Sequence, residues 1–237
     1  KSLLHQTMQP NVVVLVLSDE EVPNEENLPA SLLELKKYGL QIILMPDNLR
    51  PHKKYIYAMQ EYPDSIIITV DDDVMYDRSF IKCMYKSYLR FPRAVSAKRV
   101  HKITADGTGN LIPYQNWHYE YQDETDPSFD LLATGVGGVL YPPRLLPPET
   151  FDIEKIRELC LNADDIWLKF MEIKNNVPVV WVKTRRVHPV TIKNSQKVTL
   201  QKSNFHADQN DAYIDNLKNH YGIDLARCAK DSAQANI

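Results

Sequence analysis

The sequence predicts an α/β layered domain with a mostly parallel central sheet flanked by helices. Two patterns predict it. β-Branched and aliphatic runs alternate with stretches whose apolar residues recur at helical spacing, as crossover units require. One of those runs, residues 65–70 (SIIITV), reads as a strand buried on both faces and ends in Asp71, Asp72 and Asp73. With 237 residues and 43% hydrophobic content the chain can bury a sizeable core. It reads as one domain over residues 1–200, with a helix and a loose tail over residues 201–237.

In chain order, residues 11–17 (NVVVLVL) form a β-rich run bounded by Pro10 and by an acidic loop. Leu28, Leu32, Leu35 and Tyr38 then recur at helical spacing, with Gly39 as a stop, and residues 41–45 (QIILM) give a second strand. Residues 47–62 open with a polar loop, place Pro51 at a plausible first helical position and carry Lys53 and Lys54. Adjacent helical lysines point about 100° apart, so at most one faces a given pocket and the other is solvated. Phe80, Ile81, Met84, Tyr85 and Tyr88 make one side of a helix amphipathic, and residues 94–100 (AVSAKRV) are a further strand. From residue 102 to 130 the periodicity fails. Tyr114, Trp117, His118, Tyr119 and Tyr121 crowd this long loop; they either stack on a sugar or fold into the core.

Residues 131–143 (LLATGVGGVLYPP) place glycines within a strand-like run, which suits a ligand lying against bare backbone or a bulge where another element packs. Residues 162–167 (NADDIW) open a helix; Asn162 and Asp165 are either caps or, for the acid, a general base. Residues 177–183 (VPVVWVK) are the last clear strand. His188 follows, as a third metal ligand or a surface histidine.

The three adjacent aspartates are the strongest chemical signal. Alternation puts Asp71 and Asp73 on one side of the extended chain, about 6–7 Å apart at Cα. Two carboxylates at that range repel by roughly 3 kcal/mol at an effective dielectric of about 20. A hard cation, Mg²⁺ or Mn²⁺, would reverse the sign and leave positions for water and phosphate. The plain alternative is a solvated acidic turn that caps the next helix.

Composition narrows the class. A net charge of −3 without a basic cluster argues against nucleic acid as the main partner. Cys83, Cys160 and Cys228 are widely spaced and odd in number, which suggests neither a disulfide framework nor a zinc site and implies a reducing, cytoplasmic compartment. No run approaches the roughly 18 apolar residues of a membrane span, which leaves a peripheral membrane contact open.

The ordered set of YPDSIIITVDDDVMY, ATGVGGVLYPP and NADDIW, behind a Lys-Lys-Tyr helix, resembles the GT-A fold nucleotide-sugar-dependent glycosyltransferases, a Rossmann-type layered fold. More narrowly it resembles the bacterial family-two-like enzymes of surface polysaccharide assembly. The resemblance implies a nucleoside-diphosphate sugar donor and a glycan or lipid-linked saccharide acceptor. It implies that Asp73 and Asp71, with His188, hold Mn²⁺ or Mg²⁺, and that Asp71, Asp72, Lys53 and Lys54 meet the donor. Asp165 would be the base of an inverting transfer and Asp164 its positioning partner, with Gly137, Gly138, Trp117 and Trp167 along the acceptor. It further implies a first strand and loop ahead of residue 1.

Two other enzyme classes share some of these features. A Mg²⁺-dependent phosphatase of the haloacid-dehalogenase type also places Asp after an apolar strand, but its motif runs into a Gly-Thr turn, whereas Val74-Met75-Tyr76 follows here. A nucleotidyltransferase shares the acid pair but usually shows a Gly-rich phosphate loop. A non-catalytic sugar-binding protein on the same fold is the third alternative.

Overall fold

The computed structural model describes residues 1–183, 190–192 and 207–234. A 3₁₀ turn at Ser2–His5 leads to β1 (Val13–Ser18), and α1 (Ala30–Leu33) runs on into a second 3₁₀ turn at Glu34–Tyr38. Gly39 ends it at φ +100°, a left-handed conformation that glycine adopts without a steric penalty. β2 (Leu40–Met45) pairs parallel with β1, Val13 opposite Leu40. Pro51 sits in a 3₁₀ turn ahead of α2 (Lys53–Glu61), and β3 (Ile67–Thr69), β4 (Val74–Met75) and α3 (Phe80–Arg90) follow. Phe80 and Met84, one turn apart, form the fully buried stripe of α3.

The second half holds β5 (Val95–Ala97), β6 (Val100–Lys102), β7 (Leu131–Ala133), β8 (Val139–Tyr141), α4 (Ile153–Leu159), α5 (Asp164–Lys174) and β9 (Val179–Trp181). Asp152 caps α4 by accepting the Lys155 N–H at 3.0 Å. β10 (Val190–Thr191) pairs with β4, and α6 (Ala207–Tyr221) packs on α4 and α5. α7 (Leu225–Gln234) closes the described chain, helical where the sequence suggests a loose end from residue 229. Burial of Leu225, Ala226 and Cys228 at helical spacing anchors it.

The α/β class holds, but the expected mostly parallel sheet is mixed. Its four-stranded unit runs β3-β8-β5-β9. β8 is antiparallel to both β3 and β5, whereas β5 and β9 are parallel, so one reversed strand interrupts a set that shares a direction. β7, one turn before β8, pairs with β6 instead, so the direction of β8 is set by partners far away in the sequence.

One large apolar cluster joins Trp167, Phe170, Met171, Leu131, Leu132 and Val179. A smaller one, with Phe80, Met84 and Leu140, lies under α3. Among the described residues no helix is long and apolar enough to cross a membrane.

Candidate functional site

Three segments distant in sequence meet beyond the end of β3. Asp71 follows that strand, Lys54 stands in the first turn of α2, and Asp164 and Asp165 open α5. Lys54 Nζ lies 3.2 Å from Asp71 Oδ1 and 3.1 Å from Asp164 Oδ2. Asp165 Oδ1 accepts the Gly135 N–H at 3.0 Å. Neither acid caps its helix: the N-cap is Ala163, without a side-chain bond, and the Asn162 amide donates to Tyr213 Oη at 3.1 Å.

The electrostatics follow from this packing. Burial alone would push the Lys54 pKa down, but Asp164, Asp71 and Asp165 outweigh it and hold the ammonium well above the usual lysine value. Burial pushes the Asp165 carboxyl up to about 8, aided by the charges of Asp164 and Asp71 and opposed by Lys54 and the Gly135 N–H. The chain itself thus supplies a cation for Asp71.

A phenol ties the two walls together. Tyr76 Oη accepts the Asp71 N–H at 2.9 Å and donates to the Val136 carbonyl at 3.3 Å, linking the acidic loop to the glycine turn. Burial raises its pKa well above the usual tyrosine value.

The glycines divide. A Cβ on Gly135 would stand 2.7 Å from Lys54 Nζ, so its bare backbone is what lets the ammonium approach. Gly137 and Gly138, expected along the acceptor, pack against protein instead. A Cβ on Gly137 would meet the Arg99 backbone nitrogen at 2.8 Å, and one on Gly138, at φ +86°, would meet the Phe80 ring at 2.5 Å. The two tryptophans are a further correction. Trp117 and Trp167 are 3% and 0% exposed, and their indole N–H groups donate to the carbonyls of Ile112 and Thr150, because their large apolar rings are worth most inside the core.

The remaining predicted residues spread outward. Lys53 pairs with Glu21, on the loop after β1, and Asp72 is exposed. The Asp73 carbonyl accepts the Ile192 N–H at 2.8 Å. His188 lies outside the described residues. Among those residues no three His, Cys, Asp or Glu side chains gather to hold a metal. Asp71 is paired with Lys54, and Asp73 stands half-buried two residues further along the same loop.

A second wall holds three residues that sequence reading missed, Arg99, His101 and Glu120. Glu120 adopts φ +52°, unusual for a residue with a side chain, while its N–H donates to His101 Nδ1 at 3.1 Å and its carboxylate accepts from Arg99 Nε at 3.0 Å. Burial and Arg99 lower the His101 pKa to about 3, so the ring is neutral with its proton on Nε2. Arg99, His101, Glu120, Tyr114 and Tyr119 line the same cavity as Asp71 and Asp165. Tyr114 and Tyr119 belong to the aromatic loop read from the sequence as binding rings or core, whereas the Arg99–Glu120 salt bridge across 21 positions had no local signal.

No family model matches this sequence, and no curated protein matches it. Among solved structures the chain is similar to the apo form of a UDP-glucose pyrophosphorylase, with a TM-score of 0.40 and 10% identity over 90% of this chain and 81% of that one. A likeness of this size identifies neither a family nor an activity.

Proposed function

We propose that the chain transfers a sugar from a nucleoside-diphosphate sugar to a hydroxyl of a glycan or lipid-linked saccharide. The observation that carries the reading is the meeting of Asp71, Lys54, Asp164 and Asp165 at the carboxyl end of β3, where ligands of α/β sheets bind. In this reading the acceptor oxygen attacks the anomeric carbon, the bond to the diphosphate breaks, and Asp165 takes the hydroxyl proton. A base whose proton affinity is raised by its surroundings suits that role near neutral pH. Gly135 fixes the carboxylate through its N–H, and Lys54 holds Asp164 and Asp71 in register. Mg²⁺ or Mn²⁺ held by Asp71 and Asp73 would offset the charge of the departing diphosphate.

A nucleotidyltransferase is the second reading, favoured by a lysine embedded among carboxylates, which serves a triphosphate equally well. Calorimetric titration of UDP-, GDP- and TDP-sugars with and without Mn²⁺ tests the first reading. Metal-dependent binding of one donor class is expected, lost in Asp73→Asn and kept in Asp165→Asn, which should lose transfer. Absence of donor binding, or pyrophosphate release from a nucleoside triphosphate and a sugar phosphate, would overturn it.

A further inference from the structure

Arg99, Tyr114, Tyr119 and Glu120 border the cavity but take no part in the chemistry assigned to Asp71, Lys54, Asp164 and Asp165. They are nevertheless fixed from several directions. Glu120, at φ +52°, holds a conformation that persists in a residue with a side chain only where the surroundings over-determine it. Here its N–H is held by His101 Nδ1 and its carboxylate by Arg99 Nε. The Tyr119 ring packs edge-on against His101, with centroids 4.3 Å apart, and against Tyr114 at 5.9 Å. Tyr114 rests on Trp117 at 4.9 Å, and its N–H donates to Asp211 Oδ1 at 2.8 Å. The wall is therefore shaped before any ligand arrives, which lowers the cost of binding one.

Thr134 ties this wall to Asp165. Arg99 Nη1 donates to Thr134 Oγ1 at 3.3 Å, and the Thr134 N–H donates to the Arg99 carbonyl at 3.0 Å. The next N–H in the chain, that of Gly135, donates to Asp165 Oδ1 at 3.0 Å. A molecule seated on the wall thus lies beside the carboxylate read as the base.

The chemistry of the wall selects its ligand. Trp117 and Trp167 have gone into the core, whereas Tyr119 is left 45% exposed. An aromatic ring open to a polar cavity and braced by two other rings suits the C–H face of a sugar. Tyr114 supplies a hydroxyl: no described residue bonds its Oη, and burial, with the charge of Asp165, holds its pKa well above the usual tyrosine value. It stays protonated and can donate to a ligand oxygen. Arg99 is no open cation, because Glu120 and Thr134 occupy its Nε and Nη1. Lys54 is likewise committed to Asp71 and Asp164, and carboxylates outnumber cationic side chains among the residues that border the cavity. An anion on this wall would face Asp165 and Glu120 with the nearby cations already paired. Neighbouring hydroxyl groups, which donate to a carboxylate and accept from a guanidinium, match the Arg99–Glu120 pair without adding charge.

We propose that this wall is a subsite for one uncharged pyranose, stacked on Tyr119 and hydrogen-bonded by Arg99, Glu120 and Tyr114. Resting on the transferase reading, this pyranose is the terminal sugar of the acceptor, and sugars that carry a carboxylate are rejected. The rejection is a property of the ion pair: without the charge of Glu120, Arg99 becomes a cation that takes an acidic sugar.

Saturation-transfer NMR tests this with the methyl glycosides of glucose, galactose, mannose, N-acetylglucosamine and glucuronic acid, each titrated with and without Mn²⁺ and UDP, GDP or TDP. Binding of at least one uncharged glycoside is expected, tighter than that of the glucuronide. Tyr119→Ala should weaken it about three- to tenfold, the worth of one aromatic contact. Glu120→Gln should turn the preference toward the glucuronide, a change that a loss of folding cannot produce. No binding of any uncharged glycoside, equal binding by Tyr119→Ala, an unchanged preference in Glu120→Gln, or a glucuronide preferred by the unaltered protein would overturn the proposal. Donor binding without glycoside binding would sink the subsite alone. Glycoside binding that depends on Tyr119, with no donor bound, would keep the sugar site and sink the transferase reading.

Discussion

The two halves of the sheet are written in the same alphabet and packed to different degrees. Residues 11–17 and 65–70 are as rich in valine, isoleucine and leucine as the strands of the second half. Yet β5, β7, β8 and β9 are buried along their whole length, whereas β1, β2 and most of β3 stay half-buried. Among the described residues β5 and β8 each have neighbours on both edges, whereas β1 and β3 have one. Strand composition therefore states how much cover a strand is made for, and the pairing determines how much it receives.

Equal truncations in the two halves should give unequal losses. Leu131→Ala removes a fully buried side chain and is expected to cost about 2–5 kcal/mol in urea unfolding, through lost transfer energy and a residual cavity. Leu15→Ala, in half-buried β1, should cost roughly 1 kcal/mol. The comparison breaks if the two losses match.

The glycine turn at the border of the halves gives the next effect. Gly138→Ala meets an aromatic ring at a positive φ and should lower stability by about 1–3 kcal/mol. Gly135→Ala meets only the mobile end of Lys54, so it should leave the unfolding midpoint nearly unchanged while reducing donor binding and transfer. Equal destabilisation by the two would show that Lys54 cannot yield.

The last effect is a slope. Glu172 is buried on α5 beside Lys169, and burial raises its pKa from 4.5 to about 7 against the lysine's pull. Between those values the folded state binds more proton than the unfolded state, so this group's contribution to stability falls as pH rises from about 4.5 to about 7. Glu172→Gln should remove that decline. Unfolding free energies at pH 5 and pH 7 check it, and an unchanged slope would mean that the carboxyl ionises freely in the folded protein.

Much of the layering was legible because periodicity reports it. The stop at Gly39, the stripe of Phe80 and Met84, and a strand ending in three aspartates are local properties of the chain. Asp71, Lys54, Asp164 and Asp165 stood out by residue type and position, and the structure gathers all four. What local pattern could not carry was partnership. Only tertiary packing makes Gly135 the glycine beside the lysine and leaves Gly137 and Gly138 against Arg99 and Phe80. The reversed pairing of β8 joins strands far apart in sequence, and nothing in the spacing of Trp117 and Trp167 distinguishes a ring set on a sugar from a ring set in the core.

Tyr76 gives the crevice a dimension. Its single hydroxyl oxygen is bonded to the acidic loop on one side and to the glycine turn on the other. The ring behind it is wedged against Phe80, with centroids 4.5 Å apart. The opening at that point is closed by two hydrogen bonds to one oxygen, whose position the packed ring fixes, and a ligand that needs a wider gap must first break one of them.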